Sequence, residues 1–119
     1  MIKLGKLSLK TPVFQSPMAD CTDIAFRLIA RELGLELAFT EMVSAEALAR
    51  ENQRTLPLVR RVPGDKPLGA QLVGHNPDSM GKAAAMIEAM GFEVLDLNFG
   101  CPVRKVTGPG GGCALLQHP

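Results

Sequence analysis

The chain has 119 residues and a formal charge of +1, from 13 Lys and Arg against 12 Asp and Glu, which leaves room for one domain at most and excludes the global basicity of a dedicated DNA- or RNA-binding module. A hydrophobic fraction of 46% with 21% charged residues describes a chain that buries a core and excludes a disordered tail. With 4% aromatic residues, and neither Trp nor Tyr, there is no stacking platform for single-stranded nucleic acid, so any nucleic-acid contact has to be local.

The first ten residues carry a lysine every three or four positions where a signal peptide needs an apolar region. The run between Pro12 and Pro17 reads as a short buried strand. Thr22 then suits a helix N-cap, with Phe26, Ile29, Ala30 and Leu33 as the apolar stripe and Gly34 as the stop. A second strand is expected over Leu37–Met42, followed by Ser44 as N-cap of a helix through Ala45–Arg50. Pro63-Gly64-Asp65 reads as a turn, Pro67–Val73 as a third strand, and Asn76-Pro77 as the start of a helix with Met80, Ala83, Ala84 and Ile87 on its apolar side. Val94–Asn98 is the fourth strand and runs straight into Gly100-Cys101-Pro102.

Strand and helix thus alternate with a period near 25–30 residues, the pattern of a parallel α/β sheet. A complete (β/α)8 TIM barrel needs about 250 residues for eight such units, so about four βα units in 119 residues are close to half a barrel. A small open doubly wound sheet is the alternative, but its first loop should hold G-x-G-x-x-G, and Ser16-Pro17-Met18-Ala19-Asp20 has no glycine. The apolar triplet Ala114-Leu115-Leu116 reads as the opening of a further helix, just before the sequence stops at Gln117-His118-Pro119, which suggests a fragment. Three cysteines without C-x-x-C spacing argue against a disulfide framework and a four-ligand zinc site, and no window reaches the ~18 apolar residues of a membrane span. The expectation is a reduced, cytoplasmic chain.

In such folds chemistry gathers beyond the carboxyl ends of the strands. Those positions hold Gln15-Ser16, Thr40-Glu41, Gln71, and Asp96-Leu97-Asn98. Alternation along a strand puts Asp96 and Asn98 on the face pointing into the barrel, and Leu95 and Leu97 on the face packed by helices. Asp96 and Gln71 are either satisfied buried partners or, for the Gln71 amide, a grip on a planar heterocycle. Asn98 pairs a donor with an acceptor, which suits the imide edge of a uracil or flavin ring. Cys101 is either a small buried hydrophobe or a thiol presented by a stiff turn between Gly100 and Pro102. Gly108-Pro109-Gly110-Gly111-Gly112 lacks the phosphate-loop pattern and reads as a flexible loop beside the site. Arg104 and Lys105 stand in a stretch without acidic residues, so the mouth of the fourth strand is locally positive.

Taken together, Pro17-Met18-Ala19 with Thr22-Asp23, Thr40-Glu41-Met42-Val43-Ser44, Ala70-Gln71-Leu72 and above all Asp96-Leu97-Asn98-Phe99-Gly100-Cys101-Pro102-Val103-Arg104-Lys105-Val106 resemble the N-terminal half of a tRNA-dihydrouridine synthase. The resemblance runs on through Gly110, Gly112 and Ala114-Leu115-Leu116. It implies an FMN-binding barrel that takes a hydride from NADPH and reduces the C5–C6 bond of particular uridines in tRNA. It also implies that Pro17, Met18 and Ala19 form the loop against the flavin, that Gln71 contacts the flavin ring, that Asn98 meets the uracil, that Arg104 and Lys105 meet the RNA, and that Cys101 donates the proton. A second barrel half and a helical tRNA-binding domain belong to the family pattern and are not in these 119 residues. Three departures stand out: Asp20-Cys21 where Gly and an apolar residue are common, Gly108-Pro109 in place of a basic pair, and Cys113 in place of Ser. The competing readings are a flavin barrel acting on a free pyrimidine and a non-catalytic remnant.

Overall fold

The computed structural model describes residues 1–117; His118 and Pro119, the last two of the expected stop, lie outside the described residues. The class is α/β. A hairpin, β1 (Ile2–Leu4) and β2 (Leu7–Leu9), precedes α1 (Ile24–Glu32), β3 (Ala38–Ser44), α2 (Ala45–Ala49), β4 (Leu68–Val73), α3 (Pro77–Ala89), β5 (Val94–Leu97) and the short α4 (Arg104–Thr107). Short 3-10 helices occupy Leu56–Val59 and Gly112–Gln117. The strands β3, β4 and β5 form a parallel sheet in that order, with Gln71 opposite Met42 on one side and Asp96 on the other.

The outer face of this sheet carries the main core. Val43, Ala70 and Leu72 meet Ala45, Leu48, Val59, Ala83 and Ile87 from the helices and the connecting turn, and all are buried. Each large aliphatic side chain removed from water here contributes about 1.5–3 kcal/mol. Both helices start as their sequences dictate: Ser44 Oγ accepts from Ala47 N at 3.2 Å, and Asn76 Oδ1 accepts from Ser79 N at 2.9 Å with Pro77 next in the chain.

The inner face is closed at its lower end by the hairpin. Leu7 and Leu9 pack on Leu37, Phe39 and Val94, where the three sheet strands begin. The Phe39 ring lies over Gly69 so closely that a Cβ there would sit 2.3 Å from it. This hairpin escapes the sequence reading, which follows the lysines; the signal is the apolar set Ile2, Leu4, Leu7, Leu9 around the Gly5-Lys6 turn, with Gly5 at φ +57°.

Four expectations change. The run between Pro12 and Pro17 is not a strand: Phe14 makes a lone parallel bridge to Leu37, and Val13 is exposed. Pro17 has no N–H to continue a ladder, and Gln15 supplies the stitching instead. Its N–H donates to Leu37 O at 3.1 Å, and its side-chain oxygen accepts from Phe39 N at 3.1 Å. The first helix is capped by Asp23, whose Oδ1 accepts from Phe26 N at 2.8 Å, because Thr22 is buried and spends its hydroxyl on Met18. Its stripe of Phe26, Ile29 and Leu33 faces outward, with Leu33 85% exposed, and the buried side is Arg27 at 2%. Asp65, expected only as a turn residue, is the cause: Arg27 Nε and Nη2 lie 2.9 and 2.7 Å from its Oδ2, and Arg31 Nε donates to Oδ1 at 3.0 Å. Finally, Leu95 and Leu97 are not covered by helices, and Leu97 is 44% exposed. The α4 helix after β5 has only one turn, too short to cover the strand's outer face.

Candidate active site at the strand ends

Three inward-facing polar side chains meet across β4 and β5, as alternation along the strands requires. Gln71 Nε2 donates to Asp96 Oδ2 at 2.5 Å, and Gln71 Oε1 accepts from Asn98 Nδ2 at 3.0 Å. Asn98 Oδ1 in turn accepts from the backbone N–H groups of Gly100 at 3.1 Å and Cys101 at 2.9 Å. A continuous path of hydrogen bonds therefore runs from the Asp96 carboxylate to the turn that holds the partly buried Cys101 thiol.

The same arrangement shows how much of each group is left for a ligand. Asn98 spends its oxygen on two backbone donors, and its amide nitrogen also faces Met42 Sδ at 3.4 Å. A thioether is a weak acceptor, so a carbonyl oxygen can displace it. Gln71 uses one N–H and one lone pair within the protein, which leaves one of each among the described residues. Met42 was quoted in the motif without a role; its direct pairing with Gln71 in the sheet is what brings its sulfur there.

The first loop lies at the corresponding end of the Phe14 bridge. Met18 O accepts from Cys21 N and Thr22 N, a tight turn that leaves the Met18 and Ala19 side chains exposed and Pro17 partly so. Asp20 closes it at φ +58°, a backbone region that glycine enters freely and Asp tolerates, and its N–H donates to Glu41 Oε1 at 2.5 Å. The departure from glycine at this position is accommodated because Asp enters the left-handed region more readily than most residues.

The glycine run, expected as a loop beside the site, is packed into it at its C-terminal end. Gly111 and Gly112 are buried, Gly111 N donates to Val106 O at 3.1 Å, and Cys113 N donates to Cys101 O at 3.1 Å. Small residues are needed because the segment folds back against the Cys101 turn and Gly74. Arg104 and Lys105 are exposed on α4, and Lys105 lines a cavity of about 490 Å³ with Met42, Glu46, His75, Val106 and Gly111. This mouth is less positive in space than along the chain, because Glu46 from α2 faces it.

Neither Glu46 nor His75 is singled out by the sequence, where Glu46 reads only as a helix former. Glu46 Oε1 accepts from His75 N at 3.1 Å and Asn76 N at 3.4 Å, and lies 3.4 Å from His75 Nδ1. Burial works to raise its pKa, but the backbone donors of His75, Glu46 itself and Asn76, with the charge His75 can carry, outweigh it and hold the carboxyl below its ordinary value. Among the described residues, no helix is long and apolar enough to cross a membrane.

Comparison with known proteins gives this geometry a context. The model of the dihydrouridine synthase family (Dus) matches residues 14–119. The chain is 40% identical over 120 residues to the "Probable tRNA-dihydrouridine synthase 1" of Synechocystis sp., a match covering 99% of this chain and 33% of that protein. It is 38% identical to the "Probable tRNA-dihydrouridine synthase" of Rickettsia prowazekii, covering 98% and 36%. It is 35% identical to "tRNA-dihydrouridine synthase B" of Pasteurella multocida, covering 99% and 36%. The chain spans about a third of the length of these relatives. With the family match covering the whole parallel sheet and the Asp96–Cys101 turn, the chain belongs to the dihydrouridine synthase (Dus) family.

Proposed function

We propose that residues 1–119 form the first half of an FMN-binding TIM-barrel catalytic domain that reduces specific uridines of cytoplasmic tRNA to 5,6-dihydrouridine with NADPH as reductant, the second barrel half and a helical tRNA-binding domain completing it. The observation that carries this reading is the path from Asp96 through Gln71 and Asn98 to the Cys101 turn, at the strand ends where parallel α/β folds place their chemistry.

The donor set fits a flavin: the spare amide N–H and lone pair of Gln71 match the alternating donors and acceptors of its polar ring edge, and the loop of Pro17, Met18 and Ala19, which follows the Phe14 bridge, leaves Met18 and Ala19 exposed for the ring. When bound, FMN supplies to the uracil the hydride it takes from NADPH. The protein's own share is proton delivery and orientation. Asn98 donates to a uracil carbonyl the N–H that now rests against Met42 Sδ. With a hydride placed on C6, negative charge spreads over C5 and the C4 carbonyl, and the Cys101 thiol protonates C5. For this the thiol has to keep its proton, so Arg104 and Lys105 serve by meeting RNA phosphates from the exposed α4.

A positioned general acid contributes about 10²–10⁴-fold in rate. Cys101→Ala in the full flavin-loaded enzyme is expected to slow uridine reduction by that order while flavin reduction by NADPH stays near normal. Equal losses in the two half-reactions would instead assign Cys101 to the flavin site, and no loss in either would assign it to packing.

A further inference from the structure

We infer that Asp96 is a positioning residue, whose carboxylate sets the orientation of the Gln71 and Asn98 amides and through them fixes the turn that presents Cys101; the inference deepens the function proposed above and rests on it. An ionised carboxylate only accepts hydrogen bonds, whereas a side-chain amide has a donating and an accepting end and can be turned either way. At Asp96 the Gln71 amide has to offer its nitrogen, at 2.5 Å. That turns Gln71 Oε1 toward Asn98, which has to answer with its own nitrogen, at 3.0 Å. Asn98 Oδ1 is thereby turned to the N–H groups of Gly100 and Cys101, which can only donate. An obligate acceptor at one end and obligate donors at the other leave the two amides between them a single arrangement.

The contact that starts this path is built into the sheet, because Gln71 and Asp96 are direct neighbours in the β4–β5 register. The turn at its other end has little else to hold it. A Cβ at Gly100 would meet nothing within 4 Å, so packing does not fix the backbone there. What fixes Cys101 is the Asn98 oxygen on one side and the Cys113 N–H on its carbonyl on the other. Removing the acceptor altogether, as in Asp96→Ala, would leave Gln71 Nε2 without its partner and loosen the Asn98 amide that Gln71 holds, whereas Asn at this position still offers an oxygen that accepts.

Asp96→Ala in the full flavin-loaded enzyme tests this without tRNA or reductant, so that failure of the uridine-reduction reading and failure of this one are told apart, and Asp96→Asn, which keeps an acceptor, should stay near the parent. In Asp96→Ala, amide hydrogen exchange at Gly100 and Cys101 and iodoacetamide alkylation of Cys101 are expected to rise about three- to tenfold, the range set by one weakened hydrogen bond. Alkylation of the exposed Cys21 should not change. Asn98→Ala should raise the same two rates, and Asp96→Ala should then add nothing, since the path is already cut. Where Asn98→Ala fails to fold, Gln71→Leu cuts the path one step earlier. Unchanged rates in Asp96→Ala, a parallel rise at Cys21, or a full additional factor on top of Asn98→Ala would overturn the assignment.

Discussion

Gly112 lies against the carbonyl oxygen of Cys101, where a Cβ would come within 2.3 Å, and it does so at φ +58°. The next residue, Cys113, donates its N–H to that same oxygen at 3.1 Å. Gly112→Ala therefore meets backbone strain and a clash at once, and is expected to destabilise the fold by about 2–4 kcal/mol. Urea unfolding measures it, and a loss under about 0.5 kcal/mol, the scale of an ordinary surface change, would show that the turn yields freely.

Asp65 joins Arg27 and Arg31 in a buried cluster that ties α1 to the segment before β4. Asp65→Asn leaves two guanidinium groups without their counter-charge, and the expected cost is about 3–5 kcal/mol. Arg27→Met removes one charge and refills the space, so it should cost less than Asp65→Asn. Chemical denaturation of both variants checks the order, and the reverse order would show that Arg27 acts through packing.

The proposed grip of Gln71 on the flavin has a measurable size. Gln71→Leu removes a partner from the ring edge and from Asp96 and Asn98 together, and flavin affinity should fall by about 1–3 kcal/mol, roughly 5- to 150-fold. Fluorescence titration of the full enzyme with FMN reads this directly. Unchanged affinity would reduce Gln71 to its role within the sheet.

Glu46 gives a pH signature. Its folded pKa lies below the ordinary 4.5, so the charged form contributes stability that is complete above that value and is lost as the pH falls through the lower folded value. Glu46→Gln should therefore lower stability by about 1 kcal/mol near neutral pH, with the gap to the parent closing in acid. Thermal melts of both proteins across pH 3–7 test it; a constant gap would mean that shape, not charge, is what His75 and Asn76 recognise.

Where local chemistry decides, the sequence was enough to read the structure. Ser44, Asn76 and Pro77 start their helices by short-range capping, and the alternation of Asp96 and Asn98 fixed their shared inner face. The misreadings arose where a distant residue decides. Arg27 is buried because Asp65, far along the chain, lies beneath it, so the apolar spacing of Phe26, Ile29 and Leu33 pointed to the wrong side of α1. Gln15 replaces a strand with a side-chain stitch that no periodicity reveals. At the site, Gln71, Asn98 and Cys101 were legible as residue types on one rim. That Asn98 spends its oxygen on the Cys101 turn, and that Glu46 and His75 face the same mouth, depends on strand register and loop return.

The hairpin beneath the sheet gives the strands a sharp change of surroundings along their length. Leu7, Leu9, Leu37, Phe39 and Val94 form hydrocarbon at one level, and Asp96 stands only two residues beyond Val94, about 7 Å higher. Below Asp96 a bound group would therefore meet hydrocarbon, and above it the amides of Gln71 and Asn98, so the hairpin sets the depth at which a polar group can be seated.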